Sequence, residues 1–267
     1  MMPPVPSPEL ASSLLAVPDD AIVVVGFSGG TTSAWCAGWA LRTFGRERVV
    51  LLWHDTKEEH PDTYRFVREM AAALNMPVTE RSDGRSVTEV FRDEGYLGNN
   101  QNAMCSRILK VAPCDAYLRE LQEAGHRTVK VLGYSAQEWK RMQRARARAE
   151  QVGYGVAFPV AALGVSKQET ADWCIALGVR PSAMYEWAEH ANCLGCVKGG
   201  KAYWLAVAEH APEVFEQRAA LEEEFGHGIL RGGGREHHLL RDLVKIGMKR
   251  PPRQREKIEI GACECGD

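Results

Sequence analysis

Ala21-Ile22-Val23-Val24-Val25-Gly26-Phe27-Ser28-Gly29-Gly30-Thr31-Thr32-Ser33 is the stretch of this 267-residue chain from which its fold can be read. The segment from Ala21 to Val25 is rich in Ile and Val with no polar alternation, the pattern of a strand buried on both faces of a parallel sheet. Two adjacent glycines and four hydroxyl residues follow, and helical composition runs from Ala34 to Leu41. Adjacent glycines let backbone N–H groups turn inward together as an anion nest, and the positive end of a following helix points at the same spot. Ser28, Gly29, Gly30, Thr31, Thr32 and Ser33 therefore read as a phosphate-binding loop. It is not G-x-x-x-x-G-K-[ST], whose spacing and lysine it lacks, and it is not G-x-G-x-x-G.

Working outward, Val49 to Trp53 reads as a second strand ending at His54 and Asp55, and Pro61 to Leu74 as a helix with proline at its start. Pro77 to Glu80 is a weaker third strand, Val129 to Leu132 a fourth ending in Gly133, and Phe158 to Ala161 a candidate fifth. Strands alternating with helices predict an α/β fold with a doubly wound, mostly parallel, Rossmann-like sheet. Ligands of such sheets sit outside the carboxyl ends of the strands, so Asp55 and Thr56 face the same crevice as the glycine loop. Residues 82–101 interrupt the rhythm with a short helix and a polar loop. Residues 106–124 read as helical, with Pro113 kinking the helix or lying near its start. From Ser166 the pattern is mainly helical, over 167–178, 201–208 and 212–225; Gly232-Gly233-Gly234 reads as a joint, and the basic stretch 249–256 as extended. The expected division is a flexible tail (1–20), a nucleotide-binding domain (21–185), and a helical C-terminal region (186–267) carrying a C-x-x-C and a terminal C-x-C.

Composition is that of an ordinary globular protein, 45% hydrophobic and 25% charged, and the formal net charge of -2 gives no whole-molecule field for nucleic acid or membrane. No apolar run approaches the roughly 18 residues that span a bilayer. The start of the chain lacks the features of a signal peptide, so a cytoplasmic location with reduced thiols is expected. Of eight cysteines, Cys36, Cys114 and Cys174 stand alone in apolar surroundings and read as small buried hydrophobes. Cys193 and Cys196 form a C-x-x-C, which places two thiolates on one metal or cluster and needs partners from elsewhere. Cys105 lies in a polar loop; Cys263 and Cys265 lie at the end of the chain. Lys140, Arg141, Arg144, Arg146 and Arg148 form a basic run, with 141, 144 and 148 on one helical face. It reads either as a phosphate surface, for a nucleotide or a nucleic-acid substrate, or as a solvated helix face.

These motifs together resemble a known family. Ser28-Gly29-Gly30-Thr31-Thr32-Ser33 matches the S-G-G-x-x-S loop of the PP-loop (adenine nucleotide alpha hydrolase-like) enzymes, with Thr31 where many members carry lysine. His54 to Phe66 is similar to the D-T-G-x-x-F-P-E-T-Y-x-F segment of the phosphoadenosine phosphosulfate (PAPS) reductase branch. Gly133, Glu138 and Arg141 resemble its G-x-R-x-x-E-S-x-x-R, with Ser135 in place of the first arginine. Phe158-Pro159, Trp173, Pro181 and Tyr185 follow in order. Cys105-Ser106-Arg107-Ile108-Leu109-Lys110-Val111-Ala112-Pro113 resembles the C-C-x-x-R-K-V-x-P of iron–sulfur members, with Ser106 in the second cysteine's place. The stretch from His190 to Trp204 is similar to phage-encoded members.

The resemblance implies an adenine nucleotide, ATP or a sulfonucleotide, held by residues 28–33 with Asp55, Thr56, Gly133 and Arg141. It implies an iron–sulfur cluster of 4Fe-4S type on Cys105, Cys193 and Cys196, with zinc as the chemical rival and a fourth ligand from the tail or from outside. Cys265 matches the E-C-G nucleophile that attacks the sulfate sulfur, the product being reduced by a thioredoxin-like partner. The neighbouring Asp267 and terminal carboxylate would raise its thiol pKa. The expected function is that of a PAPS reductase-like oxidoreductase acting on a small-molecule nucleotide substrate. Two alternatives stand beside it: an ATP-dependent, pyrophosphate-releasing sulfur transfer to a nucleic acid, and a non-catalytic nucleotide- or metal-binding module. The oligomeric state is left open.

Overall fold

The β-branched runs do pair, and the 28–33 loop, Asp55, Thr56 and Gly133 follow the carboxyl ends of three neighbouring strands. The computed structural model describes residues 13–231, 237–246 and 258–260. Strands β1 (Ile22–Gly26), β2 (Val49–Trp53), β3 (Val78–Glu80), β4 (Thr128–Val131) and β5 (Gly155–Ala157) form one sheet in the order β3-β2-β1-β4-β5. Every pairing is parallel, with Val23 opposite both Val49 and Val129. The fold is therefore α/β and Rossmann-like, as the sequence predicts.

The helices are α1 (Thr31–Phe44), α2 (Pro61–Ala73), α3 (Val87–Asp93), α4 (Ala112–Glu123), α5 (Trp139–Val152), α6 (Pro159–Leu163), α7 (Lys167–Ala176), α8 (Lys201–His210), α9 (Pro212–Phe225) and α10 (Leu240–Ile246). Alternate strand residues feed opposite faces of the sheet. Val23, Val25, Leu51, Trp53, Val129 and Val131 pack with α1, α2 and α7 through Ala34, Ala37, Phe66, Met70 and Cys174. Val24 and Leu52 pack with Cys114, Tyr117 and Leu118 of α4 on the other side. Both faces are covered, which is why these strands read as continuous apolar runs. Helix α1 lies close on α7: a Cβ at Gly38 would stand 2.3 Å from the Trp173 ring.

Three boundaries differ from expectation. The fifth strand is Gly155–Ala157, and Pro159 starts a helix instead, because proline suits the first turn, where no N–H is needed. Helix α1 begins at Thr31 rather than Ala34, so half of the glycine loop is already helical. Before α4, residues Arg107–Val111 form a π-helical stretch that runs into Pro113 at the start of α4. Leu14, in the segment read as a tail, is buried beside Met142 and Phe158, and its carbonyl accepts from the Phe158 N–H at 2.8 Å.

A second core lies apart from the sheet. Val87, Val90, Phe91, Leu97, Cys105 and Leu109 bury against Val197, Trp204, Val207, Phe215, Leu221, Leu240 and Leu243. Residues of the interrupting segment 82–101, with Cys105 and Leu109 after it, thus pack with the C-terminal helices. A two-stranded antiparallel ribbon, β6 (Leu230–Arg231) with β7 (His237–His238), precedes α10. Among the described residues no helix is long and apolar enough to cross a membrane.

Candidate functional site

The strand order reverses between β1 and β4, which opens a crevice at their carboxyl ends. The 28–33 loop leaves β1 into it, and Gly133 follows β4 directly opposite. A Cβ at Gly133 would stand 2.9 Å from the Thr32 carbonyl carbon and oxygen, so glycine is what lets the two chain segments touch. Gly29 has φ +77° and rests on Thr63 of α2. Gly30 caps α1 without any side-chain bond. Among the described residues the N–H groups of Gly29, Gly30 and Thr32 find no acceptor, which leaves three donors at the positive end of a helix.

The four hydroxyls of the loop divide. Ser33 is buried; its Oγ donates to the Gly30 carbonyl at 2.8 Å and accepts from the Ser28 N–H at 3.1 Å. Thr31 is buried too, its Oγ1 accepting from Thr170 at 3.0 Å and its N–H donating to the Tyr185 hydroxyl at 3.2 Å. Burial pushes the Tyr185 phenol up, which keeps it neutral against this bond. Ser28 is exposed, its Oγ donating to Ser33 Oγ at 3.3 Å, and Thr32 is half-buried. Asp55 and Thr56 follow β2. The Asp55 carboxylate accepts from Tyr64 at 2.7 Å and from the Lys57 N–H at 2.8 Å, and Lys57 takes the left-handed φ of +58°. Thr56 turns away from solvent, its Oγ1 donating to Glu59 at 3.0 Å.

The same 55–60 segment runs on to the cysteines. Glu59 and Cys193 form an antiparallel β-bridge, and the Leu194 N–H donates to the Glu58 carbonyl at 2.7 Å. Glu59 Oε1 receives Lys110 Nζ at 2.9 Å, Thr56 Oγ1 at 3.0 Å and Cys193 Sγ at 3.3 Å, while its buried Oε2 has no partner among the described residues. Burial raises the Cys193 thiol pKa, with the Lys110 ammonium opposing. Burial works against the Lys110 charge, yet Cys193 and Glu59 outweigh it, and its pKa rises. Tyr203 Oη closes the loop, accepting from Gly195 N–H at 2.9 Å and Cys196 N–H at 3.1 Å and donating to the Cys193 carbonyl at 3.2 Å. Cys105 lies in the same core, its thiol pushed up to about 11 by burial and by the neighbouring Cys196. The three sulfurs thus gather in one region. Among the described residues, however, no three His, Cys, Asp or Glu side chains converge closely enough to hold a metal ion. As placed, the cysteines do not form a cluster cage. Cys263 and Cys265 lie outside the described residues.

Residues 22–152 match the family model of the phosphoadenosine phosphosulfate reductase domain. The match spans the glycine loop, Asp55, Thr56, Cys105, Gly133 and Arg141, and ends before Cys193 and Cys196. A crystal structure of phosphoadenylyl-sulfate (PAPS) reductase from Candida auris, in a phosphate complex, is similar to this chain at 18% identity with a TM-score of 0.43. That similarity covers 64% of this chain and 78% of the other. No functionally curated protein matches the chain.

Within the PAPS reductase domain match, Arg141 sits at the start of α5. Its guanidinium is paired with Glu138 and stacked 4.3 Å from the centroid of Tyr134. Counted from Gly133, the last arginine of the family pattern falls on Met142, which is buried; Arg141 is its exposed neighbour. His190, which opens the stretch that carries the C-x-x-C, is exposed. A cleft of about 760 Å³ lies elsewhere, at the amino ends of β4 and β5 beside Thr128, Val129 and Gly155, and holds none of the expected residues. The sequence reading missed Glu59, Tyr203 and Arg218. Glu59 and Tyr203 stand inside quoted motifs, but nothing in spacing distinguishes a buried carboxylate from a solvated one. Arg218 looks like any arginine of a surface helix, yet it is 2% exposed.

Proposed function

We propose that the chain is a PAPS reductase-like enzyme that binds an adenine nucleotide over residues 28–33 and acts on a sulfur-bearing group by thiol chemistry. The observation that supports this reading is the set of N–H groups at Gly29, Gly30 and Thr32 that have no acceptor among the described residues, on a loop that leaves β1 where the strand order reverses. Asp55, Thr56, Gly133 and Arg141 complete the crevice wall, in a unit of residues 21–185, with the cysteine chemistry assigned to 186–267. Calorimetric titration with ATP and with adenosine 3′-phosphate 5′-phosphosulfate tests the site. Gly30→Trp, whose Cβ would already stand 3.1 Å from the Tyr185 hydroxyl, should abolish binding. Unchanged affinity in that variant sinks the assignment.

The same reading gives Cys265 the nucleophile's role. Its thiolate would attack the sulfate sulfur and break the sulfur–oxygen bond to the nucleotide, releasing adenosine 3′,5′-bisphosphate and leaving an S-sulfonated cysteine; a thioredoxin-like dithiol would then release sulfite, regenerate the Cys265 thiol and become a disulfide. It also assigns Cys105, Cys193 and Cys196 to an iron–sulfur cluster, with zinc as the rival, although their placement here is not a closed cage. Iron and acid-labile sulfide in anaerobically purified protein support the cluster; stoichiometric zinc without iron refutes it.

A second reading is ATP-dependent sulfur transfer to a nucleic acid. It is favoured by the first turns of α5, where Trp139 is 41% exposed beside exposed Lys140, Arg141 and Arg144. Pyrophosphate release from ATP that depends on added RNA or DNA selects it over the first.

A further inference from the structure

Arg218 of α9 is 2% exposed, the most deeply buried cation among the described residues, and one guanidinium reaches three different segments. Its Nε donates to the carbonyl of Gly195 at 3.1 Å, and Gly195 lies between the two cysteines of the C-x-x-C. Its Nη1 donates to Thr88 Oγ1 at 2.7 Å, and its Nη2 is ion-paired with Glu58. Glu58 in turn accepts from the Thr88 N–H at 2.9 Å. The Phe91 ring lies against the guanidinium, 6.0 Å from centroid to Cζ. Gly195 has φ +75°, and a Cβ there would stand 2.7 Å from Val214 and 3.3 Å from Arg218 Nε, so the loop is pressed directly onto α9.

A hydrophobic residue would fill this volume at less desolvation cost, since buried ion pairs seldom add net stability. What a planar five-donor fork supplies is direction: it fixes a carbonyl, a hydroxyl and a carboxylate relative to one another. The carboxylate belongs to the segment that carries Asp55 and Thr56 into the crevice. The carbonyl belongs to the loop that carries Cys193 and Cys196.

We propose that Arg218 is a positioning residue that locks the C-x-x-C loop to the 55–60 wall of the crevice, so that the two move as one body. Removing it frees the cysteine loop to open locally without unfolding the sheet, and uncouples the loop from whatever occupies the crevice. By linkage, a ligand that orders the wall in the native protein also protects the cysteines. Only this last clause rests on the nucleotide reading given above.

The test is alkylation of the reduced, anaerobic full-length protein by iodoacetamide, followed at each cysteine by peptide mass spectrometry, with Cys36 of the main core as internal reference. The Cys193 and Cys196 rates relative to Cys36 should rise about tenfold in Arg218→Met, the factor expected from losing about 1.4 kcal/mol of local protection. Arg218→Lys, which keeps the charge but not the fork, should rise by less. Leu221→Ala, a cavity in the same helix, is the control for a merely structural effect; it should lower the unfolding midpoint while leaving the ratio within about twofold. Unchanged ratios in Arg218→Met and Arg218→Lys, or an equal rise in Leu221→Ala, overturn the proposal. Saturating ATP or sulfonucleotide should slow alkylation in the native protein and not in Arg218→Met. If the native protein binds neither nucleotide, the functional reading fails while the nucleotide-free comparison still decides the role of Arg218.

Discussion

Replacing Gly29 by alanine separates two physical demands that meet at one atom. The residue has φ +77°, which costs an L side chain about 1–2 kcal/mol. The new methyl would also stand 2.5 Å from Thr63 Cγ2, an overlap worth about 1–3 kcal/mol in a packed site. Together the substitution should cost about 2–5 kcal/mol. Thr63→Ser removes the offending methyl and keeps the hydroxyl on Ser182 Oγ at 3.1 Å, so alone it costs only about 1 kcal/mol. In the double variant the alanine methyl occupies the space the threonine methyl vacated. Only the backbone term and a 3.3 Å contact with Val67 should remain. The pair should therefore be less destabilising than the sum of the singles by about 1–3 kcal/mol, beyond the ~0.5 kcal/mol scatter of independent sites. Urea unfolding with linear extrapolation at matched m-values measures it. Additivity of the two changes would refute the contact between the glycine loop and α2.

Three further outcomes follow from the same geometry. Lys110→Met should lower stability by about 2 kcal/mol or more, because it strands the buried Glu59 carboxylate, and adding Glu59→Gln should recover part of the loss; urea midpoints of the native protein and the two variants decide this. Asp62 is held down to about 2 by its bonds to Arg65, with a further bond from the Ala183 N–H at 2.6 Å. Its folded pKa is depressed, so its contribution is present above pH ~4 and is lost as pH falls from ~4 toward 2. Asp62→Asn should flatten the stability profile over that window by about 1 kcal/mol after solvent screening, as read by chemical denaturation at stepped pH. Tyr203→Phe should accelerate hydrogen exchange at the Gly195 and Cys196 amides at least about tenfold while leaving the Val23 to Val25 amides unchanged; equal acceleration in both places would argue for global loosening instead.

The sheet was legible because its signal is local. Buried parallel strands must be apolar without alternation, and Val23, Val24 and Val25 or Leu51, Leu52 and Trp53 show that directly. The crevice was legible for a related reason: glycines at a strand end have few other uses, and topology fixes which strand ends face one another. The division of the hydroxyls was not legible. Thr31 and Thr32 are equivalent in sequence, and only the position of Thr170 and Tyr185, far along the chain, turns one inward. In the motif that begins at Gly133, Met142 is buried and its neighbour Arg141 exposed, a distinction that spacing alone does not make. The Glu58, Glu59, Lys110 and Arg218 network was invisible for a deeper reason. Charged residues look alike until the partner that permits burial is known, and here each partner comes from a different segment.

The second core also sets an order of events during synthesis. Val87, Val90, Phe91 and Leu109 leave the ribosome well before Trp204, Val207 and Phe215, the side chains they bury against. Roughly a hundred residues at ~5–20 residues per second leave that apolar surface uncovered for ~5–20 s on the nascent chain. The sheet, whose strands are complete by Ala157, can close in that interval, whereas the cysteine loop meets its 55–60 wall without the Arg218 guanidinium until α9 emerges. The segment around Phe91 thus stays uncovered on the nascent chain until the C-terminal helices emerge, and Cys105 and Cys193 are enclosed only with them.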